Sequence, residues 1–357
     1  MAGVLNKAKQ QKEDEFYTQL SDIERELIHY EKHFMGKVVF CNCDDPETSN
    51  FYYYFVSHFA ELGLKKLITT HFEIDKPSYM LEYEGGADVR GDKDTVVKRA
   101  IKKGKKKPLK QNFEQGSQNS LFDDEPIRSY SGDFRSPECI ELLKQSDIIV
   151  TNPPFSLFRE YIAQLIEYEK QFIIIGSKNA ITYKEIFKLF KDNKIWLGYG
   201  FANGNAYFSI ANPRDFADGV YDPKTGLVKF RNVGWFTNLD FPKRHEDIIL
   251  CKNYSPNEYP KYDNYDAIEV AKIADIPIDY FGLMCVPITF FDKYNPAQFE
   301  VLGITDRQNS SGLRTRKYTA ENTPKYNDLN ARGVIIVKGE YKPMYARIII
   351  KRKRGKK

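Results

Sequence analysis

The sequence predicts an α/β fold: a largely parallel sheet with helices on both faces, followed by a region of different composition. Three observations predict it. Short apolar runs such as "KVVFC" at Lys37 to Cys41 have the composition of strands buried on both faces. Segments with helical spacing alternate with these runs, and β-α-β alternation implies right-handed crossovers between parallel strands. After Leu250 the chain becomes rich in Tyr, Asn, Pro and Asp, which marks a second region.

Each element follows from its own residues. Phe16, Leu20, Ile23, Leu27 and Ile28 recur on one face and predict a helix over Asp14 to Met35. The strand "KVVFC" follows, then a helix from Asn50 to Leu62 closed by Gly63, then the strand "LKKLITT" from Leu64. From Glu73 to Arg128 the pattern dissolves into charges and glycines, with only "YMLEY" suggesting a strand, so residues about 74–128 read as a basic surface insertion. Alternation resumes with a helix from Ser136 to Gln145, a strand Ile148 to Thr151, and a helix Leu157 to Tyr168. A strand Phe172 to Gly176 and a helix Tyr183 to Lys191 come next. "NAYFSI" and "VGWFTNLD" then follow without an intervening helix and predict a hairpin at the sheet edge. The expected organisation is a catalytic domain over 1–250, a recognition region over 251–350 and a basic tail over 351–357.

Composition narrows the class. With 357 residues, 41% hydrophobic and 14% aromatic, the chain can bury a substantial core. No apolar run approaches the roughly 20 residues that span a bilayer, and the charged N-terminus has no apolar region behind it, so we expect a soluble, cytoplasmic protein. Five cysteines, only Cys41 and Cys43 being close in sequence, indicate neither a disulfide framework nor a metal site. The net charge of +5 is concentrated: "KRKRGKK" at Lys351 to Lys357 carries six basic residues and no acid, and "KRAIKKGKKKPLK" at Lys98 to Lys110 carries eight more. Such clusters suit phosphate-backbone contacts, because each neutralised phosphate releases counterions. They suit equally a solvated loop, a frayed tail or a localisation signal.

In an open parallel sheet, ligands lie beyond the carboxyl ends of the strands, where strand order reverses. The loop "NCDDPETSNF" after the first strand offers Asp44 and Asp45 as acceptors, although Asp45 could simply end the strand and Ser49 cap the following helix. The loop "SGDFRSPE" offers Asp133 and Phe134, an acceptor beside an aromatic face, a combination that holds a purine. The loop "TNPPF" is the most informative. Pro153 and Pro154 end the strand and stiffen the chain. Asn152 Oδ1, the Pro153 carbonyl and the Phe155 ring then present two acceptors and a π-face within four residues. Adenine's exocyclic nitrogen is a poor nucleophile because its lone pair is delocalised into the ring. Two acceptors holding its N–H groups favour a nitrogen with that lone pair freed for attack, and positioning against an activated methyl sulfonium supplies much of the catalysis.

These residues resemble the S-adenosylmethionine-dependent amino-methyltransferases, and more closely the EcoRI-like adenine-specific DNA methyltransferases. The resemblance rests on "DEFYTQLSDIERELIHY", "CNCDDPETSNF", "LGLKKLITT", "GDFRSPE", "TNPPFSLFREYI" and "GWFTNLD", in that order. It implies a Rossmann-like methyltransferase sheet and S-adenosyl-L-methionine as cofactor. It also implies that Phe16, Tyr17 and Thr18 join Asp44 and Asp45 at the cofactor, that Asp133 and Phe134 contact its adenine, and that Asn152, Pro153, Pro154 and Phe155 hold the target adenine. Phe236 is then the aromatic expected on the other side of that base, unless it is an ordinary core ring. The first loop departs from the pattern by lacking a glycine-rich turn, and the acid expected after the second strand is displaced to Glu73.

The implied substrate is double-stranded DNA, and reaching a base within the stack requires flipping it out. Lys105, Lys106, Lys107, Arg352 and Arg354 are expected on the backbone, and Arg307, Arg314 and Arg316 of "DRQNSSGLRTRKY" on bases or phosphates. A cognate restriction endonuclease is the candidate partner, with the protein associated with the nucleoid. The rival readings are methyl transfer to another amine, namely an RNA base, cytosine N4 or protein glutamine, and a non-catalytic DNA-binding protein.

Overall fold

A computed structural model describes residues 16–71, 78–109, 132–210, 216 and 218–354. Two compact units appear, one comprising 1–178 and 198–239, the other 179–197 and 240–357. The division thus falls at Leu239 rather than near residue 250, and the predicted helix after Gly176 belongs with the second unit.

The first unit contains β1 (Tyr17–Thr18), α1 (Leu20–Leu27), β2 (Val38–Cys41), α2 (Asn50–Ser57), β3 (Lys66–His71) and β4 (Tyr79–Tyr83). Next come α3 (Lys93–Lys103), β5 (Lys105–Pro108), α4 (Pro137–Gln145), β6 (Ile148–Thr151), α5 (Phe158–Glu167) and β7 (Gln171–Ser177). β8 (Asn205–Ser209), β9 (Tyr221–Asp222), β10 (Leu227–Arg231) and β11 (Val233–Thr237) complete it. The main sheet runs β5-β4-β3-β2-β6-β7-β11 within this unit. β3, β2, β6 and β7 are parallel, and β4, β5 and β11 join antiparallel. β2 and β6 are buried along their whole length, as strands covered on both faces must be. Strand order reverses between β2 and β6.

Local chemistry explains the helix starts. Ser49 caps α2, its Oγ accepting from Phe51 N at 3.0 Å. Ser136 caps α4 with Pro137 in the first turn, where a missing N–H costs nothing.

Three expectations are corrected. The first helix starts only at Leu20, because Tyr17 and Thr18 are extended and pair with Ser209 and Phe208. The described part of the inserted segment, residues 78–109, is structured: Asp92 caps α3, and β5 extends the sheet through β4. Charge had masked α3, whose buried Val96, Val97 and Ala100 form a narrow stripe among lysines. The hairpin is also different. β8 pairs with β10 in a small sheet of order β1-β8-β10-β9, whereas β11 pairs with β7. Asn232, at a φ of +60°, separates these two strands.

The second unit contains α6 (Lys184–Lys191), β12 (Ala267–Glu269), β13 (Leu283–Pro287), β14 (Phe299–Ile304), β15 (Val334–Val337), β16 (Glu340–Pro343) and β17 (Arg347–Arg352). Its sheet runs β12-β13-β17-β14, and β15 and β16 form a separate hairpin. Lys351 and Arg352 of the expected tail are therefore sheet residues. Their partners in the register are Leu283 and Phe299.

Gly176 of β7 is needed for close approach. A Cβ there would stand 2.2 Å from the ring of Phe158, the first residue of α5. Phe158 is buried and packs edge to face on Phe236 of β11, 4.9 Å between centroids. The predicted consequence is that Gly176→Ala pushes Phe158 out of its seat and costs about 1–3 kcal/mol, the usual range for overpacking. Urea unfolding should show the loss, and Gly176→Ala/Phe158→Leu should recover part of it.

Candidate active site

A cleft in the first unit opens between the loops that follow β2 and β6. It encloses about 900 Å³ of empty space, open solvent at its mouth included, and is lined by Phe16, Tyr17, Asn42, Cys43, Asp44, Asp45, Thr70, Gly132, Asp133, Phe134, Asn152, Pro154 and Leu157. Residues far apart in sequence meet there because the strand order places β2 beside β6.

Asp44 joins the two loops. Its Oδ2 accepts from Thr151 Oγ1 at 2.5 Å, and its Oδ1 from Ser49 Oγ at 2.9 Å. Part of its surface stays open to the cleft, yet surrounding protein pushes its carboxyl up to about 6. Burial is the main cause, opposed by the hydrogen bonds from Thr151, Ser49 and the Asn152 backbone and reinforced slightly by Asp45. Asp45 has a local role as well: its carbonyl accepts from Ser49 N at 2.7 Å and its Oδ1 from Glu47 N at 3.0 Å, forming the turn into α2.

Asn152 is held from the opposite side. Its Nδ2 donates to the Phe16 carbonyl at 2.6 Å. Because a carbonyl can only accept, the amide orientation is set, and Oδ1 is left buried without a hydrogen-bond partner among the described residues. An orphan acceptor of this kind costs about 1–3 kcal/mol until something donates to it. Pro153 is buried, and the Pro154 carbonyl accepts from Leu157 N at 3.0 Å, turning the chain into a short 3-10 segment that starts at Phe155.

Phe155 meets three further rings. Phe16 lies roughly parallel to it at 6.2 Å, and Phe208 and Phe230 approach edge-on at 6.3 Å each. Phe16 and Phe208 are buried, whereas Phe155 and Phe230 keep exposed surface. Phe236 is not in this group. It is fully buried and supports Phe158, because it lies on β11 in the main sheet rather than on a hairpin beside Phe155. Its expected place against a base is therefore corrected: no face of its ring is open.

Asp133 and Phe134 both reach the cleft, but Asp133 has a partner absent from the sequence reading. Arg135 forms a two-pronged pair with it, Nε to Oδ1 and Nη2 to Oδ2, each 2.8 Å. The Phe134 ring is buried and packs on Tyr161 at 5.0 Å. Tyr161 donates to Asn42 Oδ1, leaving Asn42 Nδ2 as a buried donor without a partner among the described residues. Tyr17 lines the cleft. Thr18 is outside the lining: it is buried, and its carbonyl accepts from Asn50 Nδ2 at 2.7 Å. Glu73 lies outside the described residues.

The basic residues divide. Lys105, Lys106 and Lys107 are exposed on β5, with Lys105 near Glu84, Lys107 near Glu82 and Lys106 over the Tyr79 ring. In the second unit Arg307 and Arg354 are exposed, and Arg352 donates to the Ile278 carbonyl. Arg314 and Arg316 are partly exposed and also hold internal partners. Arg314 donates to the Asp306 and Asn330 carbonyls and to Tyr265 Oη; Arg316 pairs with Asp263 at 2.8 Å. Both carry their guanidinium groups beside tyrosine rings.

Asn42, Arg135, Tyr161, Phe208 and Phe230 were not singled out by the sequence. Arg135 had a local signal, an arginine two residues after an acid in a loop. The others depend on strand order and on the pairing of β8 with β10.

A Rossmann-like sheet in which the loop after β2 meets the Asn-Pro-Pro-Phe loop after β6 is that of an amino-methyltransferase, and the matching family is adenine-specific. The chain belongs to the EcoRI adenine-specific methyltransferase family, whose model matches residues 4–353. It is 48% identical over 306 residues to the Type II methyltransferase M.EcoRI of Escherichia coli, covering 84% of this chain and 88% of that one. It is 39% identical over 360 residues to the Type II methyltransferase M.MgeORF184P of Mycoplasma genitalium, and 37% over 361 residues to M.MpnI of Mycoplasma pneumoniae. These two alignments cover 97% and 98% of this chain and 98% of each relative. No solved structure matches the chain.

The raised pKa of Asp44 sets a direction for stability. A proton is held more tightly in the folded state, so the contribution is fully present below the ordinary carboxylate value and is lost as pH rises through about 6. Asp44→Asn should therefore be more stable than wild type at pH 8, by on the order of 2 kcal/mol, and the gap should close below pH 4. Thermal unfolding of the two proteins across pH measures it.

Proposed function

We propose that the protein transfers the methyl group of S-adenosylmethionine to the exocyclic N6 of an adenine flipped out of duplex DNA. The observation that carries this reading is the buried, unpartnered Oδ1 of Asn152, clamped through Nδ2 and set beside a cleft on one side and the Phe155 cluster on the other.

The residues present fit the cofactor. Asp44 offers a carboxylate to a cationic or hydroxyl group, Asn42 Nδ2 offers an orphan donor, and Asp133 and Phe134 offer an acceptor and an aromatic edge. Asp45, Phe16 and Tyr17 complete this wall, and Thr18 supports it from behind. When bound, S-adenosylmethionine supplies an activated methyl group. The chain's own task is orientation. Asn152 Oδ1 and the Pro153 carbonyl accept the two amine hydrogens and draw electron density back toward the nitrogen, Pro154 stiffens the loop, and Phe155 stacks on the base. Phe230 takes the opposing place first expected of Phe236, because its ring is near Phe155 and keeps exposed surface.

The second unit, including the region from 251 to 350, is proposed to recognise the target. Lys105, Lys106, Lys107, Arg307, Arg352 and Arg354 hold the phosphate backbone in this reading. It extends to nucleoid association in the cytoplasm and to a cognate restriction endonuclease as partner, supported by relatives whose names describe Type II methyltransferases.

The test is methyl transfer from labelled S-adenosylmethionine to unmethylated duplex DNA, with nucleosides analysed after digestion. N6-methyladenine should form with wild type and fall at least a hundredfold with Asn152→Ala, a loss in the range of removing one preorganised polar contact, while cofactor affinity stays within a few fold. Label on cytosine, or equal turnover by the variant, would reject the reading. A second expectation follows from Asp44: its charged form binds the cofactor, so affinity measured by calorimetry should weaken as pH falls through about 6, and Asp44→Asn should bind weakly without that dependence.

A further inference from the structure

The β15–β16 hairpin has an apolar end exposed to solvent. Its base is fixed. Val334 is buried with Tyr318 and Leu329, Ile335 is buried with Tyr262 and Tyr265, and Asp263 N donates to the Val334 carbonyl at 2.8 Å. Its connection is a two-residue turn, Lys338-Gly339, with φ of +52° and +82°. Positive φ at both positions is the geometry whose twist matches that of two paired strands, so the ribbon is stiff. Beyond the base, Ile336 is 49% and Val337 41% exposed, opposite Tyr341 and Glu340 in the register. Lys338 and Lys342 are exposed beside them, and Glu340 is the single acid of the hairpin.

Ile336 and Val337 are successive residues of one strand and face opposite sides of the ribbon, so each side of its free end carries one exposed β-branched residue. The charges say what surface such an end fits. Lysines bracketing apolar residues suit a surface that is anionic at its rims and apolar in patches within. The DNA major groove is such a surface: it is roughly 12 Å wide and admits a two-stranded ribbon, and the apolar group it presents is the 5-methyl of thymine. The minor groove, about 6 Å wide, excludes the ribbon.

We propose that the free end of the β15–β16 hairpin enters the major groove of the target duplex, setting Ile336 on one side of the ribbon and Val337 on the other against thymine methyl groups, with Lys338 and Lys342 against phosphates. This rests on the reading of the second unit as the part that recognises DNA. The hairpin then supplies sequence discrimination through apolar contacts, while Arg314 and Arg316 brace the neighbouring loops.

The test uses the full-length protein and the duplex it methylates, identified by mapping modified adenines in treated DNA. Every such duplex contains thymine, because the target adenine pairs with it. Thymines are replaced one at a time by deoxyuridine, which removes only the methyl. Wild type should lose about fourfold in affinity at one or two positions, the value of a single buried carbon group. Ile336→Ala/Val337→Ala should bind the parent duplex more weakly and discriminate less than twofold at those positions. Its thermal midpoint and cofactor affinity should be unchanged, since both residues are exposed. Lys338→Gln/Lys342→Gln should reduce the slope of log affinity against log salt by about two. Insensitivity of wild type to every methyl, or equal sensitivity in the double alanine variant, would overturn the proposal. So would a change of oligomeric state in that variant without a change in discrimination, which would make the hairpin an interface between copies. Failure of the broader reading is separate: Arg307→Ala and Arg354→Ala would then leave affinity and salt slope unaltered.

Discussion

The hydrogen bond between Thr151 and Asp44 joins two loops that end neighbouring parallel strands, and the site is organised around it. It exists because β2 and β6 are adjacent, with Val39 opposite Ile148 and Phe40 opposite Ile149. Parallel strands deliver their carboxyl ends to the same edge of the sheet, and reversal of strand order between them leaves a crevice there. Asp44 and Asn152 therefore face one cleft although more than a hundred residues separate them.

Within that cleft the polar groups fall into two sets. Asp133 is neutralised by Arg135, and Asn42 Oδ1 is filled by Tyr161. Asn152 Oδ1 and Asn42 Nδ2 are left without partners among the described residues, one an acceptor and one a donor. Buried groups of this kind are tolerated where a ligand completes them, and the surrounding hydrogen bonds prevent either amide from turning to satisfy itself. Rigidity is assembled from ordinary parts: the Phe16 carbonyl fixes one amide, and the seating of Phe158 against Gly176 and Phe236 fixes the helix that follows the proline turn.

The second unit shows why residue type is a weak guide to role. Arg314 and Arg316 have the chemistry of base readers, yet carbonyls, Asp263 and tyrosine rings occupy them. A guanidinium has five donors in a fixed plane, so it braces irregular loops as readily as it binds nucleic acid. Ile336 and Val337 show the converse: apolar side chains near the two-residue turn of a hairpin are left about half exposed.

The amino-acid sequence by itself determined the alternation of strands and helices, the proline-stiffened loop after β6 and the family. Each is a local matter of apolar runs, caps and a short motif with definite chemistry. Strand β6 lies where its four apolar and threonine residues place it, and Asn152 and Phe155 follow directly. Only the tertiary structure decided which aromatic faces Phe155, since that depends on β8 pairing with β10 while β11 crosses to β7. The same holds for α3, hidden because three buried positions among lysines give little periodic signal. Partner choice between strands and the direction of a side chain are set by contacts distant in sequence. Local composition carries no record of them, which is why Phe236, legible as a residue, was not legible as a role.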